Sequence, residues 1–76
     1  MSSMPEAGTA PTLEVNGQPW PWHAELTLAA LLMERADDAH AVATALNGRF
    51  VPRTHRGATA LAAGDAVLVF SPIVGG

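Results

Sequence analysis

The chain has 76 residues and a formal charge of −3, with neither cysteine nor lysine. That length allows one small hydrophobic core, near the lower limit for folding alone. The missing residue types exclude disulfides, thiolate metal sites, a cysteine nucleophile and lysine Schiff-base chemistry, and the acidic balance argues against nucleic acid as partner.

The first eleven residues, MSSMPEAGTAP, are small, polar and proline-bearing, without apolar periodicity. They read as a disordered leader over 1–11, with the fold over 12–72 and a flexible tail over 73–76. The leader has no basic start and no apolar run, so neither a signal peptide nor a membrane span is expected and the default location is the cytoplasm.

From Thr12 the chain reads as a hairpin. Leu13 and Val15 alternate, Asn16-Gly17 suits a two-residue turn, and Trp20 and Trp22 share a face of the return strand. Pro19 and Pro21 cannot donate to a ladder, so that strand belongs at a sheet edge. The segment TLAALLMER then places Leu28, Leu31, Leu32 and Arg35 at helical spacing behind Thr27 as N-cap. Glu34, Asp37 and Asp38 oppose the helix dipole, so the helix is expected to stop at about Ala36.

A second strand–turn–strand signal follows: Val42 to Leu46, Asn47-Gly48, then Phe50 and Val51, closed by Pro52. THRGATAL reads as irregular or as a short helical turn, and AAGD as a turn before AVLVF. That last apolar run is expected to be a central strand buried on both faces. The order β-β-α-β-β-β predicts an α+β roll, a mixed sheet of four to five strands with one main helix packed across it.

No catalytic constellation emerges. His23, His40 and His55 lie on separate elements without partners at metal-ligand spacing, and read as surface or edge residues. Ser71 has no paired histidine and acid nearby. Trp20 and Trp22 are assigned to the core in preference to a docking patch, and the arginines from Arg49 to Arg56 to solvated surface in preference to a binding stripe.

The end of the chain, FSPIVGG, is apolar and then stripped of side chains. It directly follows the expected central strand, and Pro72 blocks further pairing. Two glycines form a thin, permissive rod ending in a carboxylate, able to enter a narrow channel in another protein and reach an ATP phosphate. Ile73 and Val74 would then seat the tail in an apolar groove. The alternative is a frayed tail that happens to end in glycine.

These residues resemble the ThiS family of sulfur carriers in thiamin biosynthesis, ubiquitin-like β-grasp proteins. The marks are VNG (15–17), TLAALL (27–32), ALNGRFVPR (45–53), Gly64-Asp65 and the terminal aliphatic–Gly–Gly, spread over nearly the whole folded region. The resemblance implies that the chain is a protein substrate and not an enzyme, and that it binds no cofactor itself. A ThiF-type adenylating partner would use ATP and Mg²⁺ to convert the Gly76 carboxylate to an acyl-adenylate. A cysteine-desulfurase route would then leave a thiocarboxylate for ThiG-type thiazole synthase. Gly75, Val74 and Ile73 would serve tail recognition, with Phe70 and Arg53 as a partner surface. The chain departs from the family at Arg56, where an aromatic is common. Two other readings are the molybdopterin synthase small subunit, which shares the fold and ending, and a ubiquitin-like interaction module that carries no sulfur.

Overall fold

The computed structural model describes residues 10–72. Most of the expected leader, and the tail residues Ile73, Val74, Gly75 and Gly76, lie outside the described residues.

The elements follow in the expected order: β1 (Thr12–Val15), β2 (Gln18–Pro21), α1 (Leu28–Arg35), β3 (Ala43–Leu46), β4 (Arg49–Val51), a 3₁₀ helix (Arg53–Ala58) and β5 (Ala66–Phe70). The sheet order is β2-β1-β5-β3-β4, with β1 and β5 parallel and all other neighbours antiparallel. This is the mixed sheet with one main helix across it that the element order predicts, and it is the β-grasp arrangement that the resemblance implies.

Both hairpins turn on Asn-Gly. Asn16 and Gly17 have φ of 53° and 83°, and Asn47 and Gly48 have 50° and 86°. Positive φ at both central positions twists the turn to match the strands. In the first hairpin Pro19 faces Glu14 and Pro21 faces Thr12. With a two-residue loop, those positions point their nitrogens away from β1, so the missing N–H groups cost no ladder bond. β2 is an edge strand, as its prolines require.

Thr27 caps α1, its Oγ1 accepting from the Ala30 N–H at 3.1 Å. The helix ends where expected. Ala36 takes the left-handed conformation (φ 63°), while its N–H reaches the Met33 carbonyl and that of Asp37 the Leu32 carbonyl. This is a Schellman cap built on alanine where glycine is usual. The start of α1 is stitched to the segment before β5 by Leu28 N–H to Thr59 O and Leu61 N–H to Leu26 O, both 2.9 Å.

The core lies between α1 and one face of the sheet. Leu28, Leu31 and Leu32 pack with Leu13, Val15, Val51, Val67 and Val69, and Leu26 and Leu61 complete the cluster. Each fully buried leucine contributes about 2 kcal/mol of apolar burial. Trp20 and Trp22 are half-buried against this cluster, and the Trp22 indole donates to the Leu61 carbonyl at 2.7 Å.

Two sequence expectations need correction. β5 is central, but only Val67 and Val69 are buried; Ala66, Leu68 and Phe70 are exposed. One eight-residue helix covers one face only, so an all-apolar strand here has a wet side. Arg56 is not solvated surface: it is 4% exposed and belongs to the interior.

Candidate functional site: the root of the C-terminal segment

The residues expected to carry or seat the chemistry (Gly76, Gly75, Val74 and Ile73) lie outside the described residues, and the described strand that leads to them is their base. That base is β5. On one side it pairs with β3 over Leu46–Val67, Ala45–Leu68, Thr44–Val69 and Ala43–Phe70. On the other, β1 reaches only Ala66 and Val67.

The two turn asparagines extend this hold. Asn47 accepts from the Ala66 N–H through Oδ1 (2.9 Å), and its own N–H donates to the Ala66 carbonyl (2.7 Å). At the other end, Asn16 Oδ1 accepts from the Val69 N–H (2.8 Å) while Nδ2 donates to the Val69 carbonyl (3.1 Å). Each Asn-Gly pair thus makes a turn and pins one end of β5. The sequence reading found the turns and missed the second role, which a local pattern does not contain: Asn16 and Val69 are 53 residues apart.

Phe70 and Arg53, the expected partner-surface residues, come to the same end of the sheet. Phe70 pairs with Ala43, and Thr44 pairs with Val51, so Ala43 is level with Pro52 and Arg53 follows directly. Both are exposed. Arg53 donates from Nη1 to His40 Nδ1 at 3.1 Å. That contact needs His40 Nδ1 unprotonated, since an acceptor must offer a lone pair.

Phe70 also belongs to the uncovered face of the sheet. The register places Phe50, Leu68 and Phe70 there, 65%, 50% and 40% exposed, over a floor of Ala43, Ala45 and Ala66. Glu14 is the one charged strand residue on this face. A shallow depression of about 250 Å³, lined by Glu14, Asn16, Ala45, Ala66 and Leu68 among others, is below the size of most small-molecule sites. An apolar face without a deep pocket is suited to a protein surface.

Arg56 holds the loop beside this end. Its guanidinium donates to the Ala39 carbonyl (3.0 Å), the Val42 carbonyl (2.8 Å) and Thr44 Oγ1 (3.2 Å), and the Thr44 hydroxyl donates onward to the Val51 carbonyl (3.1 Å). Burial pulls the Arg56 pKa below its usual value, and the neighbouring Arg53 charge adds to this. Arg53 and Arg56 stand three apart in a 3₁₀ helix, where such residues eclipse, so both reach the 39–44 segment. The one available signal was the departure from the family pattern at position 56.

The histidines are exposed. His23 Nε2 meets Glu34 Oε2 at 2.7 Å and Nδ1 meets the Ala24 carbonyl at 3.0 Å, so both ring nitrogens face acceptors. The Glu34 hydrogen bond, followed by that to Ala24, raises the His23 pKa. Glu34 is lowered in turn, first by His23 and then by the Trp20 indole, which donates to Oε1 at 3.1 Å. Near the helix end, Arg35 lies over the Trp20 ring (5.8 Å to the centroid) and its Nε donates to Asp37 at 2.7 Å. Among the described residues no group of three or more His, Asp or Glu could hold a metal. No helix among them is long and apolar enough to cross a membrane.

Residues 10–76 match the ThiS family. The crystal structure of a thiamine biosynthesis protein (ThiS) from Geobacter metallireducens is 35% identical, with a TM-score of 0.75, covering 86% of this chain and 99% of that one. An NMR solution structure of a thiamine biosynthesis protein from the same organism is 34% identical, with a TM-score of 0.65, covering 86% of each chain. A comparison with curated protein sequences finds no match. A β-grasp sheet whose clamped central strand leads to the terminal segment, in a chain matching over 10–76, belongs to the ThiS family, the protein-substrate sulfur carriers of thiamin biosynthesis.

Proposed function

We propose that Gly76 is the residue that carries the sulfur. The observation behind this reading is that the family match extends to residue 76, while β5, the strand before it, is held from both sides as far as Val69. In the proposed sequence the Gly76 carboxylate attacks the α-phosphorus of ATP, held with Mg²⁺ by a ThiF-type partner, and expels pyrophosphate. A persulfide sulfur delivered by a cysteine-desulfurase route then attacks the acyl carbon and displaces AMP, and a thiol of the donor system cleaves the resulting acyl disulfide, so that the thiocarboxylate leaves and the donor keeps a disulfide. The resulting thiocarboxylate gives its sulfur to a ThiG-type thiazole synthase, and Gly76 returns to a carboxylate.

The chain supplies shape and reach. Six residues from Phe70 to Gly76 span at most roughly 20 Å of extended backbone, enough to enter a partner's channel. Gly75 and Gly76 add no side chain to block that channel, and Ile73 and Val74 offer apolar anchoring. Phe70 and the open apolar face, with Arg53 at its margin, form the surface against which partners dock. An ATP-dependent carrier role is in keeping with a cytoplasmic location.

The test is to block the carboxylate. Residues appended after Gly76 should abolish thiazole formation in a reconstituted system, while the same residues appended before Met1 should leave it intact. Full activity with the C-terminal extension contradicts the proposal.

A further inference from the structure

β1 runs out of backbone before β5 does. Asp65, Val67 and Val69 are the residues of this segment that face β1: Glu14 N–H donates to the Asp65 carbonyl and Asn16 N–H to the Val67 carbonyl, each at 2.9 Å. The chain then turns away at Asn16 and Gly17, so no β1 backbone group remains for Val69. The Asn16 side chain takes that place. Its amide offers one acceptor and one donor, the pair a strand would have offered, and satisfies the Val69 N–H and carbonyl together.

We propose that Asn16 is a positioning residue for the carrier chemistry: its amide fixes the backbone of Val69, and with it the point and direction at which the C-terminal segment leaves the sheet. This rests on the reading that Gly76 is the reacting end. Without the clamp the Val69 N–H and carbonyl lose their partner, and this end of β5 is held only through the bonds that its neighbours Leu68 and Phe70 make to β3, so the direction in which the strand ends is less fixed. An activating partner must then restrict that motion on binding, a cost that raises KM. Once the end is threaded the partner holds it, so kcat changes little.

Two variants of the full chain separate the clamp from the turn, because both suit the positive φ at position 16. Asn16→Gly removes the side chain. Asn16→Asp sets a carboxylate oxygen against the Val69 carbonyl at neutral pH, but its protonated form, below about pH 3.9, can donate as the amide did. The experiment measures amide protection factors at Val69 and at Leu31 in the core, and the KM and kcat of pyrophosphate release by a ThiF-type enzyme. In Asn16→Gly, Val69 protection should fall about tenfold more than that of Leu31, at neutral and acid pH alike. Asn16→Asp keeps an acceptor for the Val69 N–H but sets a carboxylate oxygen against the Val69 carbonyl, so a smaller loss should appear at neutral pH and be largely recovered in acid. KM should rise about tenfold in Asn16→Gly and by less in Asn16→Asp, with kcat within about twofold in both.

Wild-type-like Val69 protection in Asn16→Gly, an equal loss at Val69 and Leu31, or an unchanged KM in a variant with exposed Val69 overturns the role of Asn16. If Asn16→Asp does not fold, Asn16→Gly decides alone. A wild-type chain that supports no pyrophosphate release overturns the carrier reading instead, so the two failures are distinct.

Discussion

The guanidinium of Arg56 and the hydroxyl of Thr44 meet inside the molecule at 3.2 Å, and the carbonyl oxygens of Ala39 and Val42, not a carboxylate, accept from the guanidinium's two terminal nitrogens. Every buried side-chain polar atom among the described residues has a partner. Removing the arginine would leave the buried Thr44 hydroxyl and two partly buried carbonyls, those of Ala39 and Val42, short of a donor. Arg56→Met should therefore destabilise the fold by about 3 kcal/mol, read from the urea midpoint. A loss below about 0.5 kcal/mol, the range of ordinary surface substitutions, would contradict the buried network.

At the end of α1, Ala36 holds a left-handed conformation that costs an alanine roughly 1 kcal/mol and a glycine almost nothing. Part of that gain is offset by the greater freedom of glycine in the unfolded chain. Ala36→Gly should raise stability by about 0.5 kcal/mol, whereas Ala36→Val should lower it; denaturant unfolding of both decides the sign.

The His23–Glu34 pair makes stability depend on pH. The His23 pKa is raised above 6.5 in the folded state, so its contribution is fully present below pH 6.5 and is lost as pH rises through the folded value. Glu34 is lowered from 4.5, so its contribution is present above pH 4.5 and is lost as pH falls through its folded value. The pair therefore supports the fold best between these limits. The His23 ring resonances should titrate above 6.5, and the fall in thermal midpoint across that titration should flatten in His23→Gln. A wild-type midpoint that does not change there would exclude the coupling.

How much of this was legible beforehand depends on whether the information was local. The Asn16-Gly17 and Asn47-Gly48 turns, the Thr27 cap, the edge placement of Pro19 and Pro21 and the helix stop at Ala36 are set by neighbours within a few residues, and the sequence carries them. The wet face of β5 was hidden because Ala66, Leu68 and Phe70 are as apolar as the buried Val67 and Val69, so the alternation of burial leaves no alternation of residue type. Arg56 was hidden for the opposite reason: a charged residue in a polar stretch gives no sign that three acceptors from the 39–44 segment surround it. Likewise, the expected partner residues Phe70 and Arg53 are 17 positions apart in the chain, and only the β3 register brings them to one end of the sheet.

The open face should matter to partners more than to the fold. Phe50 is 65% exposed on an edge strand, so Phe50→Thr should shift stability by no more than about 0.5 kcal/mol. If this face docks the activating enzyme, the same change should weaken binding about tenfold, as loss of an interface aromatic does. Calorimetry of the complex, set beside urea unfolding of the free variant, checks both halves. Unaltered affinity would place the docking surface elsewhere.

Whether Gly76 carries the sulfur can be read by intact mass spectrometry. The full chain is incubated with a ThiF-type enzyme, ATP, Mg²⁺ and a sulfur donor, beside a chain lacking Gly76. The full chain should show an oxygen-to-sulfur mass shift, assigned to its C-terminal residue by fragmentation, and the truncated chain should show none. A shift of the same size in the chain without Gly76, or no shift in the full chain while the enzyme modifies its own cognate carrier, would contradict that role of Gly76.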